Sequence, residues 1–354
     1  MTEALIASYK PYLVTLAKKG RTYYWCACGR SAKQPFCDGA HKGTGIEPVT
    51  YVARQDQEEV LLCGCKQTRS APVCDGSHNA LADTYAQATA SERQATAHLP
   101  VTPRDGGNFG KAIVDGGAYV LTPPSSPGQA VDGWDMLPLI TAADGAKMLS
   151  LYRLAVGTAE AAKLGFGDGE AVLFVASGNG VVTIAGKPFA VAPETALHVR
   201  RGEAVTAAAS DGRLVILATV CPASAVPAPK EHGAPFDTAY PNRAQAVDPS
   251  LRQAMADRFY QVLAGRETGS EEITAFIGEI PRSRAAAHHH LYEETIFILS
   301  GAGYLWTEHA RAAVQPGDVI FLPRKQMHSL ECTDAGGMRL AGSFYPSGSP
   351  AINY

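Results

Sequence analysis

The sequence carries almost no excess charge of either sign, and it lacks a long apolar run. Its 31 Lys and Arg residues nearly balance its 34 Asp and Glu residues, which leaves a formal net charge of −3. This balance provides no general basic face, so we expect neither nucleic acid nor a membrane as a partner. No uninterrupted apolar stretch reaches the roughly 18 residues of a membrane span, and the first residues lack a leader pattern. We therefore expect a cytoplasmic location.

Cysteine is scarce outside one short segment. Six of the eight cysteines lie within residues 26–74, in two groups that each end in a histidine. This distribution favours metal binding over a disulfide framework, because a reducing compartment leaves thiolates free to coordinate. The other two cysteines, Cys221 and Cys332, are expected to be buried free thiols.

The two groups are copies of one pattern. The first reads C-A-C-G-R-S-A-K-Q-P-F-C-D-G-A-H from residue 26, and the second reads C-G-C-K-Q-T-R-S-A-P-V-C-D-G-S-H from residue 63. Each copy offers three thiolates and one imidazole, a donor set that suits either zinc or a [2Fe–2S] cluster. The candidate ligands are Cys26, Cys28, Cys37 and His41 in the first copy, and Cys63, Cys65, Cys74 and His78 in the second.

Both copies resemble the CDGSH iron–sulfur family, the mitoNEET-like proteins. The family pattern has Ser or Thr after the second cysteine and Pro before C-D-G; Ser31 with Pro35, and Thr68 with Pro72, supply them. The resemblance implies two [2Fe–2S] clusters, in each of which the first two cysteines bind the inner iron and the third cysteine and the histidine bind the outer iron. Residues 1–85 would then form a tandem CDGSH domain. Residues 86–110, rich in Ala, Thr, Gln and Gly, are expected to form a linker with one short helix.

From about residue 111 onward, short apolar strands alternate with Gly, Pro and Asp turns. Residues 171–175, 180–184 and 213–217 are examples. This spacing predicts an antiparallel all-β sandwich or barrel. The layout occurs twice, since residues 170–180 and 293–303 match at an offset of 123 residues. The sequence therefore predicts a duplicated barrel.

The second copy of the barrel carries a group of candidate metal ligands. On a strand, residues two apart face the same side, so His288, His290 and Glu294 project together. His328 lies on the following hairpin and would complete the group. Three imidazoles and one carboxylate suit Fe(II), Mn(II) or Ni(II), and they leave positions open for a substrate.

This second copy resembles the cupin superfamily. The first cupin motif is met by His288, His290, Glu294 and Gly301, and the second by Gly317, Pro323 and His328. Lys325 and Arg282 stand where glycine is usual. These substitutions affect the geometry of the turns, and the four ligands are still present. The resemblance implies a mainly β fold, in which the small tandem domain is followed by two cupin (jelly-roll type) β-barrels. The first barrel would span 111–229 without metal ligands, and the metal-binding barrel would span 230–354.

In the first barrel, the positions equivalent to the ligands are not ligating residues. They are Gly165, Gly167, Ala171 and Val205. His198 is the only histidine of that barrel, and we expect it to be a satisfied core or surface residue. A scaffold role for the first barrel follows.

The combination of one-electron clusters with an open mononuclear site predicts an iron–sulfur oxidoreductase. We expect a non-haem Fe(II)-dependent oxygenase or oxidase, in which the clusters relay electrons to the cupin metal. Glu294 is the candidate catalytic residue, and Tyr292 and Arg284 share its strand parity and are candidates for substrate contact. The alternatives are a redox or iron sensor with a ligand-binding barrel, and a cupin dioxygenase or isomerase that needs no relay. The expected partners are a small-molecule substrate, an electron-donor reductase and a second copy of the chain.

Overall fold

The structure is a computed structural model that describes residues 3–80, 90–107, 109–255 and 257–351. These residues fall into two compact units. One unit contains residues 3–80 with 349–351, and the other contains the described residues of 87–348. Within the described residues, no helix is long and apolar enough to cross a membrane.

The first unit is built from four short strands in two antiparallel pairs. The strands are β1 (Tyr12–Leu16), β2 (Thr22–Trp25), β3 (Val49–Val52) and β4 (Glu58–Leu62). β1 pairs with β4, and β2 pairs with β3. Their buried side chains, among them Leu16, Trp25 and Leu62, form one small core together with Cys63, Cys65 and Cys74. A core of this size is marginal without further cross-links, so bound metal is expected to stabilise the unit.

The second unit holds a short helix and the strands of two barrels. The helix is α1 (Ala90–Thr96), and single 3₁₀ turns cover Asp115–Gly117, Ala142–Asp144, Pro249–Leu251 and Arg266–Thr268. The first half contributes β5 (Lys111–Ile113), β6 (Tyr119–Leu121), β7 (Gln129–Val131), β8 (Trp134–Ile140), β9 (Ser150–Val156), β10 (Leu164–Gly165), β11 (Glu170–Ser177), β12 (Gly180–Ile184), β13 (Lys187–Val191), β14 (Thr195–Val199), β15 (Ala204–Ala209), β16 (Leu214–Cys221) and β17 (Ala228–Pro229). The second half contributes β18 (Ala244–Ala246), β19 (Gln253–Met255), β20 (Arg258–Ala264), β21 (Thr274–Ile280), β22 (Glu293–Ser300), β23 (Gly303–Trp306), β24 (Arg311–Val314), β25 (Val319–Leu322), β26 (Ser329–Cys332) and β27 (Met338–Tyr345).

Each barrel is made of one large and one small sheet. In the first barrel the orders are β18-β14-β11-β16-β9-β8-β7 and β13-β12-β15-β10-β17. In the second barrel they are β19-β20-β21-β27-β22-β25-β6-β5 and β24-β23-β26. All pairings within these sheets are antiparallel. The equivalent strands β11 and β22 are each an interior strand of the large sheet in their own barrel. The predicted mainly β fold with a duplicated barrel is confirmed.

The two barrels exchange strands. β6 pairs with β25 of the second barrel through Val319↔Leu121, and β18 pairs with β14 of the first barrel through Leu197↔Ala244. The predicted boundary between residues 229 and 230 therefore does not separate the large sheets of the two barrels. The strands within residues 111–121 belong to the large sheet of the second barrel, and residues 244–246 belong to the large sheet of the first. The pairing of each strand with its neighbours determines the barrel to which it belongs. The order of the strands along the sequence does not reveal this.

Apolar side chains fill the first barrel and the zone between the barrels. One core cluster lines the interior of the first barrel, around Leu154, Leu173 and Val205. A second cluster joins the barrels, with Leu149 and Phe174 from the first and Ile273 and Phe321 from the second. The barrels are therefore parts of one folded body.

The helix α1 lies within the segment predicted to be a linker. The Glu92 carboxylate accepts the N–H of Ala287 at 3.2 Å, and the Thr96 hydroxyl accepts a hydrogen bond from Arg284 at 2.8 Å. The predicted short helix is present, and it packs beside the chain that leads into His288. Residues 86–89 and 108 of the predicted linker lie outside the described residues.

Candidate metal centres

Each cysteine–histidine copy is a loop held by matched backbone hydrogen bonds. In the first copy, the Cys26 N–H donates to Pro35 at 2.9 Å and the Cys37 N–H donates to Tyr24 at 2.8 Å. The second copy makes the same bonds, from Cys63 to Pro72 at 2.9 Å and from Cys74 to Leu61 at 2.9 Å. These bonds bring the third cysteine of each copy back to the strand that carries the first.

The ligand atoms of each copy lie in two close pairs. Sγ of Cys26 and Sγ of Cys28 are 3.7 Å apart, and Cys37 Sγ is 3.1 Å from His41 Nδ1. In the second copy the corresponding distances are 3.5 Å for Cys63 and Cys65, and 3.3 Å for Cys74 and His78. Two thiolates bound about 2.3 Å from one tetrahedral metal stand about 3.7 Å apart. The pairs therefore fit one metal each, and each copy fits a two-metal group such as a [2Fe–2S] cluster.

The aspartate of each C-D-G segment ties its loop together. The Asp38 carboxylate accepts backbone N–H groups from both sides of Cys37, at 2.8 and 3.1 Å. Asp75 accepts the equivalent groups at 2.8 and 3.0 Å. Burial raises the pKa of Asp75, but hydrogen bonds from Ser77 and Arg69 outweigh burial and lower it. This role is not visible in the sequence pattern, which indicates only a turn.

The two copies differ in exposure. The His41 side chain is 18% exposed and its Nε2 lies 3.5 Å from the Glu47 carboxylate, whereas His78 is 2% exposed. Burial raises the pKa of the Cys74 thiol to about 12 and lowers the pKa of His78. Without metal, the second site therefore holds a protonated thiol beside a neutral imidazole, while the first site meets solvent.

The three candidate histidines of the second barrel converge. Their ligand nitrogens all lie within 4.8 Å of one another. His288 and His328 form an isolated antiparallel bridge, with N–H to carbonyl distances of 2.9 and 2.8 Å, and His290 follows outside a regular strand. The expectation that His288 and His290 lie on a strand is wrong, since β22 begins only at Glu293. The backbone bridge takes the place of a strand in aligning them.

Two of these imidazoles are oriented by backbone carbonyls. His288 Nδ1 lies 2.8 Å from the Ala286 carbonyl, and His328 Nδ1 lies 2.8 Å from the Gln326 carbonyl. Because a carbonyl only accepts, each Nδ1 carries the proton and each Nε2 keeps its lone pair for a metal. Burial lowers the pKa of His328 to about 4 and lowers the pKa of His288 well below its usual range. Both rings are therefore neutral at pH 7, as a metal ligand must be.

Glu294 lies beside this group. Its Oε2 is 3.7 Å from His290 Nε2, and the side chain is 4% exposed. Burial raises the pKa of Glu294 to about 8. The structure thus brings three histidines together and places a neutral carboxyl next to them. This donor chemistry fits a divalent Fe, Mn or Ni ion, with Glu294 as the predicted fourth ligand.

The other predicted contact residues have different surroundings. The Tyr292 ring stacks on His290 at 4.3 Å and on Phe344 at 4.1 Å, so it supports a ligand ring. The Arg284 guanidinium donates to Ser329 and Thr96 and lies 3.8 Å from the centroid of the Trp306 ring. Arg284 therefore links α1 to the barrel, and a role in substrate contact receives no support.

Sequence reasoning missed Arg258, on β20. Its side chain is 11% exposed, and Nη2 donates to the Leu330 carbonyl at 2.7 Å, two residues beyond His328. Its charge lowers the pKa of both His288 and His328, after the larger effect of their burial. Arg258 lies outside both cupin motifs, and no spacing pattern pointed to it.

The first barrel has no equivalent group. Ala171 and Val205, at two of the equivalent positions, are buried core residues. His198 is buried, with Nδ1 3.1 Å from the Thr268 carbonyl and Nε2 3.4 Å from the Glu170 carboxylate. His198 is therefore a buried core residue, one of the two surroundings expected for it. Cys221 and Cys332 are buried free thiols, as expected.

Two protein-family models match the chain. A model described as an iron-binding zinc finger of CDGSH type matches residues 9–42, and a model described as a cupin domain matches residues 279–341. The first match covers the first cysteine–histidine copy, and the second covers the histidine group. The chain is therefore a fusion of a CDGSH iron–sulfur domain with a cupin domain.

Curated relatives match a short part of the chain. The human protein named CDGSH iron-sulfur domain-containing protein 3, mitochondrial, is 47% identical over 54 residues, which are 15% of this chain and 42% of that protein. The mouse protein of the same name is 53% identical over 38 residues, 10% of this chain and 28% of that protein. The chain thus spans less than half the length of these relatives.

Solved structures match about two thirds of the chain. Protein Ylba from E. coli has a TM-score of 0.51 and 19% identity, over 66% of this chain and 93% of that chain. A deletion mutant of oxalate decarboxylase from Bacillus subtilis has a TM-score of 0.53 and 12% identity, over 65% and 79%. A mutant salicylate 1,2-dioxygenase from Pseudoaminobacter salicylatoxidans in complex with gentisate has a TM-score of 0.50 and 12% identity, over 63% and 76%. These likenesses show a shared fold.

Proposed function

We propose that this chain is a non-haem Fe(II)-dependent oxygenase or oxidase whose two CDGSH [2Fe–2S] clusters exchange electrons with the cupin metal. One observation carries the proposal: a converging group of three histidines beside Glu294 occurs in the same chain as two four-ligand cysteine–histidine sites. Bound iron would supply the binding and activation of dioxygen. The protein residues hold the metal, exclude water and place the substrate.

The buried charge of Arg258 supports an anionic substrate. Within the described part of the chain, Arg258 Nε makes no hydrogen bond, and the nearest ion-pair partner is Asp257 at 3.7 Å. A divalent ion at the histidines and this guanidinium, set against the carboxylates of Glu294 and Asp257, leave net positive charge around the buried histidines. Burying that charge is costly unless an anion offsets it. A small carboxylic acid that contacts Arg258 while it faces the metal satisfies this requirement.

Metal counting on anaerobically prepared full-length protein tests the composition. We expect about five iron and about four acid-labile sulfide per chain, and about four of each in the His288→Ala/His328→Ala double variant. Manganese, nickel or zinc in place of the fifth iron would contradict the Fe(II) assignment. Fewer than about three sulfides would contradict the second cluster.

The relay is tested by rapid mixing. Protein with dithionite-reduced clusters is mixed with oxygenated buffer containing oxalate or salicylate, and cluster reoxidation is followed by visible absorption. Faster reoxidation in the wild type than in His290→Ala supports electron exchange with the cupin metal. Equal rates would overturn the relay and leave a cupin enzyme that needs no external electrons.

A redox sensor or electron-transfer protein is the second candidate. The partial exposure of His41 favours it, because an exposed outer iron can exchange electrons with another protein such as a reductase. This candidate predicts reversible cluster reduction without any metal-dependent product. Mass spectrometry of incubations with oxygen and a panel of small carboxylic acids separates the two functions.

A further inference from the structure

Lys66 places a buried ammonium between the two cluster sites. Its Nζ donates to the Cys63 carbonyl at 3.0 Å and to Gln34 Oε1 at 2.9 Å. Gln34 Nε2 in turn lies 3.4 Å from Cys26 Sγ, to which it donates. One cation therefore reaches the first ligand of both copies, through a backbone carbonyl on one side and a side-chain amide on the other.

The surroundings hold this ammonium in place. It lies 4.7 Å from the centroid of the Trp25 ring, and the Trp25 indole N–H donates to the same Cys63 carbonyl at 2.9 Å. In the described part of the chain, no carboxylate forms an ion pair with Lys66. The negative charge it faces is that of the cysteine thiolates.

Lys66 occupies a backbone position that favours glycine. Its φ is 65°, in the left-handed region, and the equivalent residue of the first copy is Gly29 with φ 76°. A lysine there strains the backbone, and burying its charge adds to the cost. The first copy has no room for such a side chain, because a Cβ on Gly29 would lie 1.8 Å from the Leu5 carbonyl oxygen. Only the second copy therefore carries a lysine at this position.

Gln34, which accepts the hydrogen bond from Lys66, is likewise present in only one copy. The position equivalent to Gln34 in the second copy is Ala71, which has no donor. An ammonium on Oε1 polarises the Gln34 amide and strengthens its N–H donor to Cys26. Hydrogen bonds to sulfur, nearby positive charge and exposure all raise the reduction potential of a cluster.

We propose that Lys66 and Gln34 form a charge bridge that raises the reduction potential of the first cluster above that of the second, so that a single electron resides on the first cluster. This inference rests on the two-cluster part of the proposed function. Each cluster accepts one electron from a low-potential reductant such as dithionite, one ferric ion becomes ferrous, and no bond forms or breaks. The first cluster, with its exposed outer iron, then acts as the electron entry and holding site.

Potentiometric titration of the full-length protein, followed by visible absorption and electron paramagnetic resonance, tests the bridge. We expect two one-electron steps, and His41→Cys and His78→Cys assign each step to a cluster because each lowers its own potential. Lys66→Met should lower the first step by at least about 59 mV, a tenfold change in the reduction equilibrium. Gln34→Leu should lower the first step and leave the second in place.

Lys33→Met is the matched control, because Lys33 is exposed and adjacent to Gln34 and its loss removes the same formal charge. Lys66→Arg keeps the charge and should keep most of the separation between the steps. If Lys66→Met lowers the first step no more than Lys33→Met does, while about four sulfides are still present, the charge bridge is overturned. The two-cluster premise is unaffected by that outcome. Loss of the second cluster from the wild type would instead overturn the two-cluster premise. If Lys66→Met fails to fold, an unchanged first step in Gln34→Leu overturns the bridge.

Discussion

Glu170 and Glu293 occupy the same position in the two barrels, and each caps the backbone of the other barrel. The Glu293 carboxylate accepts the N–H groups of residues 147, 148 and 149 at 2.8–2.9 Å. The Glu170 carboxylate accepts those of residues 271, 272 and 273 at 2.9–3.2 Å, and the hydroxyl of Ser270 at 2.6 Å. The duplication has thus produced a reciprocal pair of buried caps between the barrels.

Replacing either cap should destabilise the two-barrel unit. We expect Glu170→Gln or Glu293→Gln to cost about 2 kcal/mol or more, because an amide NH₂ would then face backbone donors. Urea unfolding followed by tryptophan fluorescence measures the change. Glu160→Gln, at an exposed position bonded to Thr206, is the matched control and should have little effect. Equal stability of all variants would contradict the role of the caps.

The contribution of Glu170 should depend on pH. Burial raises the pKa of Glu170, but the hydrogen bond and charge of His198 and the Ser270 hydroxyl outweigh burial and lower it from 4.5 to about 2. A depressed folded-state pKa stabilises the protein above the unfolded value, by about 3 kcal/mol here, and this contribution is lost as the pH falls from about 4.5 towards 2. The stability difference between wild type and Glu170→Gln should therefore shrink between pH 6 and pH 3. A constant difference would show that the carboxylate charge is not responsible.

Metal binding to the cupin site should release a proton. Burial raises the pKa of Glu294 to about 8, so the carboxyl is mostly protonated at pH 7 without metal. A divalent cation favours the ionised form, so binding should release about one proton and weaken as the pH falls below about 8. Calorimetry with Mn(II) in buffers of different ionisation enthalpy counts the protons. Glu294→Gln should abolish the release; an unchanged count would place the proton elsewhere.

Arg258 should control the affinity for small carboxylates. Arg258→Met removes the buried cation, and we expect binding of small carboxylates to the Mn(II)-loaded protein to weaken by about ten- to a hundredfold. Perturbation of the Mn(II) paramagnetic resonance spectrum reports this binding. Arg284→Met is the control, since its guanidinium is bonded to Ser329 and Thr96. Equal losses in both variants would argue against a specific role of Arg258.

The two proposed clusters should be lost at different rates. The His41 side chain is 18% exposed and His78 is 2% exposed, so a chelator reaches the outer iron of the first cluster more readily. Incubation with an iron chelator at pH 6 should give two phases of absorbance loss. His41→Cys should slow only the fast phase. A single phase that is unaffected by this substitution would contradict the difference in exposure.

Local patterns predicted much of this fold. The strands expected at 171–175 and 180–184 fall within β11 and β12. The ligand spacing also found the three histidines that converge. Spacing along the chain could not show the exchange of β6 and β18 between sheets, because pairing depends on tertiary contacts. It could not find Arg258 or Lys66 either, since their roles arise from burial beside residues distant in sequence.

The exchanged strands bind the two halves of the duplication to each other. A chain cut between residues 229 and 230 would leave each half without strands that complete its own large sheet, because β6 and β18 each lie across the cut from their partners. The halves can thus rebuild the sheets only by reassembling, as two fragments of one protein. Each large sheet is therefore completed by a strand from the other half, so the first barrel is a required part of the fold that holds the three histidines.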